Sequence, residues 1–190
     1  MGFLQLFLGP YTSKVWRNFS REIEGTYERK WSGTYEIRAV YERRQISISF
    51  DPLERGRGSI VFRIAYQSPR PFEFEVYPSD MFTDIFVSRR ILTGDSNMDN
   101  YFIIKSSDEQ KVKGLFADAS IRTSAARHSP NYIAASHRSS WWGPWHRPKR
   151  NELCVVLNAG IAEISHLRGG FALLTNIHNR LCQLDQEDAQ

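Results

Sequence analysis

The stretches Ile60-Val61-Phe62-Arg63-Ile64-Ala65-Tyr66 and Phe72-Glu73-Phe74-Glu75-Val76 decide the fold class, because Ile60, Phe62, Ile64 and Tyr66, then Phe72, Phe74 and Val76, recur at every second position. In an extended chain successive side chains point to opposite sides, so this spacing predicts strands with a packed face. Working back from here, Tyr35 to Ile37 and Ile46-Ile48-Phe50 behave the same way. Turn residues separate them at Trp31-Ser32-Gly33 and between Asp51 and Gly58. Four or five consecutive strands on short polar connections imply an antiparallel meander with one packed and one wet face.

Around that meander the period changes to that of a helix. Thr12-Ser13 precedes Val15, Trp16, Phe19 and Ile23 at helical spacing, which predicts a helix over 13–24 closed by Gly25. Ile164, Leu167, Phe171, Leu174, Ile177, Leu181 and Leu184 mark a long amphipathic helix near the end of the chain, with its regular part expected after Gly169-Gly170. Between these lie turn chemistry at Gly94-Asp95-Ser96-Asn97 and a short strand over 101–105. A helix starting with a Ser107–Gln110 capping box follows, reaching about Arg127. Tyr132-Ile133-Ala134 and the continuous apolar run 153–157 read as further strands. The expected architecture is therefore α+β: an antiparallel sheet packed against an amino-terminal helix and a long carboxy-terminal amphipathic helix. The boundaries are an apolar anchor segment over 1–11, a single domain over 12–185 and an acidic tail over 186–190, with Asp185, Glu187 and Asp188 read as solvated.

Composition bounds the function. Hydrophobic residues make up 41% and charged residues 24% of the 190, which fits a packed domain and excludes a wholly disordered chain. A total of 25 Lys and Arg against 21 Asp and Glu is only mildly basic, but its distribution is uneven. No acidic residue occurs between Ala119 and Asn151, where Arg122, Arg127, Arg138, Arg147, Lys149 and Arg150 all fall. Such a stretch attracts acidic protein surfaces, phosphates or anionic lipid. The two cysteines, Cys154 and Cys182, sit in apolar runs and read as buried free thiols, which points to a reducing, cytoplasmic setting.

Several phrases together resemble an uncharacterised family of small bacterial proteins to which no reaction is assigned. They are Met1-Gly2-Phe3-Leu4 and Phe7-Leu8-Gly9-Pro10, Trp16, Gly94-Asp95 with Asp99, Phe102-Ile103-Ile104-Lys105, Asp108-Glu109, Val112 through Leu115-Phe116-Ala117, and Trp142-Gly143-Pro144. The resemblance spans most of the chain and implies no activity. Two departures stand out: Ser96 replaces a proline, and the stretch 137–150 is more basic and richer in tryptophan. If the family pattern holds, that stretch is where this member has acquired its own partner.

Catalytic and cofactor signals are weak. Neither a Walker loop nor a dinucleotide fingerprint is present, and nothing resembles a nucleophile elbow. Asp95-Ser96-Asn97-Met98-Asp99 imitates half a calcium loop, but Asn100 and Ser106 stand where a glycine and a bidentate glutamate belong, so a structural turn is expected. The histidines at 128, 137, 146, 166 and 178 lack metal-site spacing, and only His137 and His146 look able to converge. No enzyme activity, cofactor or metal is expected.

Two apolar features remain. Phe3, Leu4, Leu6, Phe7 and Leu8 precede Gly9-Pro10 in a stretch too short to span a bilayer, which needs about 20 helical residues. It lacks the basic leader and cleavage site of a secretory signal. Further on, Trp141, Trp142 and Trp145 lie among Arg147, Lys149 and Arg150 in a Pro-punctuated stretch. Tryptophan and arginine are enriched at binding hot spots and at membrane interfaces. The expectation is a non-catalytic accessory subunit in the cytoplasm, peripheral to the inner membrane. It docks on a protein partner in a membrane-bound assembly, with anionic lipid as a further contact. The alternatives are a single-stranded nucleic-acid platform, ranked lower because its aromatics normally sit on strands, and a small-molecule binder or unknown enzyme, which would need a deep pocket with converging polar groups. The bland reading of the tryptophans is that they fold back and cap the sheet.

Overall fold

A computed structural model describes residues 10–30, 34–51, 58–79, 90–136, 151–159 and 163–189. Among them are five helices and one eight-stranded, wholly antiparallel sheet. Helix α1 (Pro10–Glu22) leads into β1 (Thr26–Arg29), β2 (Tyr35–Tyr41), β3 (Arg44–Asp51), β4 (Ser59–Ala65) and β5 (Phe74–Pro78). Then come α2 (Ser96–Tyr101), β6 (Phe102–Ser106), α3 (Glu109–Phe116), α4 (Ala119–His128), β7 (Tyr132–Ser136), β8 (Glu152–Asn158) and α5 (Ile164–Glu187). The α+β class, the antiparallel sheet and its two backing helices are as the sequence pattern predicts.

The meander covers β1 to β4 and stops there. Strand order is β1-β2-β3-β4-β8-β7-β5-β6, so β8 and β7 come between β4 and β5, which the local pattern gave no reason to separate. β2 and β3 join through Glu42 and Arg43, both with positive φ, a two-residue turn whose twist matches the flanking strands.

One face of the sheet carries the main core. Ile37, Ile46, Ile48, Ile60, Phe62 and Ile64 on the meander meet Val15, Trp16 and Phe19 of α1 and Leu167, Leu174, Ile177 and Leu181 of α5. Helices α3 and α4 pack on α5. The expected single helix over 107–127 is two. Asp118 interrupts it, its carboxylate accepting from Ser120 N at 2.8 Å, and the Arg122 guanidinium donates to the freed carbonyls of Phe116 and Ala117 at 2.7 Å each. The cap of α3 is Asp108, which accepts from Lys111 N, rather than Ser107. Ser107 instead bonds the backbone of Glu73.

Gly169 and Gly170 lie inside α5, not before its regular part. A Cβ at Gly169 would fall 2.1 Å from the His128 ring, and one at Gly170 2.4 Å from the Phe62 ring. The glycines therefore weaken helix propensity but let α5 approach both α4 and the sheet.

The second face is not uniformly wet, which corrects the expectation of one packed and one solvated side. Over β1 to β3 it presents Glu36, Arg38, Ser47 and Ser49. Over the other five strands, Val61, Tyr77, Ile103, Tyr132, Ala134, Cys154 and Val156 form a separate buried cluster. The sequence signal was there: a continuous apolar run such as Leu153–Leu157 is what a strand buried on both faces requires.

Candidate functional site

The residues expected to contact a partner, Phe3, Leu4, Leu6, Phe7, Leu8, Trp141, Trp142, Trp145, Arg147, Lys149 and Arg150, lie outside the described residues, as do His137 and His146. What is described is where those segments attach. The segment 137–150 joins Ser136, at the end of β7, to Asn151 and Glu152, at the start of β8. Ser136 and Glu152 are paired across the two strands, with Ala65 next in the row. Arg63 Nε stands 3.4 Å from Glu152 Oε2 at this base, buried, in an ion pair too poorly aligned to be a hydrogen bond. Beside it the second face runs Arg63, Cys154, Ala134, Glu75 and Lys105 across successive strands. The Tyr132 hydroxyl donates to Glu75 Oε1 at 2.8 Å, and Lys105 Nζ sits 5.5 Å above the Tyr77 ring. The tryptophan segment therefore leaves from strands whose second face is apolar at its centre.

The amino-terminal segment enters at α1, near the other end of the strands. Trp16 packs on Tyr35 at the start of β2, and the Ser13 hydroxyl pairs with the Tyr27 hydroxyl at 3.1 Å. The helix then runs toward Gly25, which lies against Ile37 and Ala39. The two expected contact segments thus attach at opposite ends of β2 to β8.

Several charged groups serve the fold instead. Asp185, read from sequence as part of a solvated tail, lies on α5 and pairs with the buried Lys111 of α3. The Tyr66 hydroxyl donates to Asp185 Oδ2 at 3.0 Å and the Ser68 hydroxyl to Oδ1 at 2.7 Å. Lys111 also lies 4.6 Å from the centre of the Phe72 ring. With burial as the main cause, the Tyr66 phenol is pushed well above its usual range. Asp95 caps α2, accepting from Asn97 N and Met98 N, and pairs with Arg122 at 3.0 Å. Asp99 accepts from Thr93 and Gly94. The calcium-like run thus commits its carboxylates to capping α2 and to holding the residues before it, and from Ser96 onward it is a helix where the sequence pattern predicted a turn.

Cys154 is a free thiol, fully buried, its pKa pushed up to about 12 by desolvation. Cys182, also free, is only partly buried and lies 3.7 Å from His178 Nε2, one helical turn away. Burial raises the Cys182 thiol and lowers His178, so the pair rests neutral rather than as thiolate and imidazolium. Among the described residues no three His, Cys, Asp or Glu side chains converge as a metal group would require. None of their helices is long and apolar enough to cross a membrane.

The histidines that do meet are ones sequence spacing missed. His128, at the end of α4, stands 6.3 Å from His166 on α5, ring centre to ring centre. Burial, and then the charges of His166 and Arg127, hold His128 below its ordinary value. The pair of glycines at 169 and 170 was the available signal that another element comes close there.

Two recesses flank His128. One is a groove of about 890 Å³ between α4 and α5, with Arg127, His166 and Arg168 along it. Arg168 is engaged there with Glu22 through two hydrogen bonds of 2.7 and 2.8 Å. The other is a cleft of about 1230 Å³ at the Asn158 end of the sheet, between α2, the end of α4 and the ends of β4, β5 and β8.

The fold has a solved counterpart. The mycobacterial trehalose monomycolate transport factor A superposes with a TM-score of 0.59 at 8% sequence identity, over 91% of this chain and 96% of that one. At that identity the likeness is one of fold. No protein-family model matches the sequence, and none of the curated proteins matches it.

Proposed function

We propose that this chain is a non-catalytic accessory protein that docks on a membrane-bound protein assembly, using its apolar amino terminus and its basic tryptophan segment. The observation that carries the reading is the placement of Trp141, Trp142 and Trp145 in the connection between β7 and β8. These are strands whose outer face is already apolar at Tyr132, Ala134, Cys154 and Val156. Three indoles in a polar segment are costly to leave in water, and the strands that this segment connects carry buried apolar residues on both faces. Phe3, Leu4, Phe7 and Leu8 would each contribute about 1.5 to 3 kcal/mol if fully desolvated by a partner. Arg147, Lys149 and Arg150 would orient the approach to an acidic surface. Leu6 belongs to the same apolar segment. The fold likeness is to a protein named a transport factor, which is in keeping with an accessory role.

Attachment at both ends of the sheet fits a partner that spans the domain rather than a single pocket. Fractionation tests this. The full chain should sediment with membranes and co-migrate with an integral assembly in mild detergent. Deletion of residues 2–9, or Trp141, Trp142 and Trp145 changed together to alanine, should release it to the soluble fraction. Flotation with bare anionic vesicles measures how much of the attachment is lipid. Unchanged sedimentation after both alterations would refute the reading, as would steeply salt-dependent binding to single-stranded nucleic acid by the free protein.

A further inference from the structure

From the cleft at the Asn158 end of the sheet we infer a binding site for a neutral polyhydroxylated ligand, a saccharide of about two rings. The lining is unusual in its chemistry. Four asparagines, Asn97, Asn100, Asn131 and Asn158, reach the cleft from α2, the α4–β7 connection and the end of β8. A carboxamide carries two donor hydrogens and an acceptor oxygen, which matches sugar hydroxyls that also donate and accept. Ser59 and Ser129 add hydroxyls of the same kind.

Among the described residues the lining contains no Asp, Glu, Lys or Arg. In a chain where about a quarter of the residues are charged, that is selective: it offers no counter-charge for a phosphate, a nucleotide or an amino acid. The one titratable lining group besides Tyr101, His128, is held toward its neutral form by burial and by positive neighbours.

Tyr101 supplies the second half of the argument. It is the last residue of α2, it lines the cleft, and its side chain is 67% exposed, while Phe102 next to it is buried. An exposed aromatic ring beside a row of amides gives a flat apolar platform for the C–H face of a pyranose, while the amides take its hydroxyl edge. The cleft volume of about 1230 Å³ exceeds the needs of one ring. None of the described lining residues belongs to the amino-terminal or the tryptophan segment, so the site is tested apart from the docking proposal.

The test is a ¹⁵N NMR titration of the full chain with trehalose, maltose and cellobiose in turn, with inorganic phosphate as the charged control. The expected result is shifts at Asn97, Asn100, Tyr101 and Asn131 with at least one disaccharide, at a Kd on the order of millimolar. Phosphate should leave those signals in place. Tyr101→Ala should weaken the binding by about five- to tenfold, the scale of one ring contact, while Tyr101→Phe retains it. Tyr101 is exposed, so neither substitution endangers folding, and the unfolding midpoint serves as the check. Absence of shifts with all three sugars at about 50 mM would overturn the inference. So would equal affinity in Tyr101→Ala, or tighter binding of phosphate than of sugar. Deletion of residues 2–9 should leave the titration unchanged, so this site and the docking surface fail or survive separately.

Discussion

The two halves of the second sheet face form one continuous surface yet have opposite character. A single row crosses it: Glu36, Ser49, Val61, Val156 and Tyr132 are successive partners on β2, β3, β4, β8 and β7. Polar residues stop at β3 and apolar ones begin at β4. On the first half, Glu36 lies 2.7 Å from Lys30 and pairs with Arg38, and Val40 stands 71% exposed at no evident benefit. On the second half every member of the apolar cluster is buried. A sheet therefore need not be one-sided or two-sided as a whole. Its exposure is set strand by strand, and the border here falls where the meander ends and the late strands insert.

The sharpest way to break that contrast is to place a charge on each half. Val156→Asp should lower stability by about 3 to 5 kcal/mol or prevent folding, since an ionised carboxylate in the cluster has no partner. Ser47→Asp, between Arg38 and Arg63, should stay within about 0.5 kcal/mol. Urea unfolding midpoints of the two variants decide it, and similar losses would mean the halves are not distinct. Truncation gives a smaller effect of the same kind. Ile103→Ala should cost about 2 to 4 kcal/mol and Val40→Ala no more than about 0.5, measured in the same way.

The smallest effect concerns pH on the polar half. Burial alone would raise Glu36, but hydrogen bonds and charge from Lys30 and Arg38 outweigh it and hold the carboxyl below its ordinary 4.5. A depressed carboxylate contributes its stability in full above 4.5 and loses it as pH falls through the lower folded-state value. Glu36→Gln should therefore cost about 1 kcal/mol near pH 7, a cost that shrinks as pH falls below 4.5 and through the lower folded-state value. A gap between wild type and variant that widens on acidification would contradict this assignment.

Most single elements were legible because their signals are local. The alternation in β4, the apolar run of β8 and the helical spacing from Leu167 to Leu184 each lie within one element. What failed depended on contacts between distant residues. Nothing within Phe72 to Val76 indicates that β7 and β6, not β4, will be its neighbours. The glycines in α5 read as a helix defect until His128 and Phe62 are set against them. Asp118 was a missed local signal, since an aspartate before Ala119-Ser120 is ordinary capping chemistry.

For the site, the cost of Phe3 to Leu8 and of the three indoles was visible as composition, and their attachment points are now fixed at opposite ends of the strands. The asparagine cleft was invisible, because its four amides come from three separate stretches and none forms a motif with its neighbours.

The insertion of β7 and β8 also dictates an order of events during synthesis. β4 emerges with its hydrogen-bonding edge open and finds its partner only when residues 152–158 have been made, well after β5, β6 and three helices. Until then the nascent meander ends in a strongly apolar strand, Ile60 to Ile64, paired with β3 on one edge only, and its other edge is the kind on which foreign strands add. Substitutions that weaken β8 should therefore show first as aggregation during expression rather than as a lowered melting point.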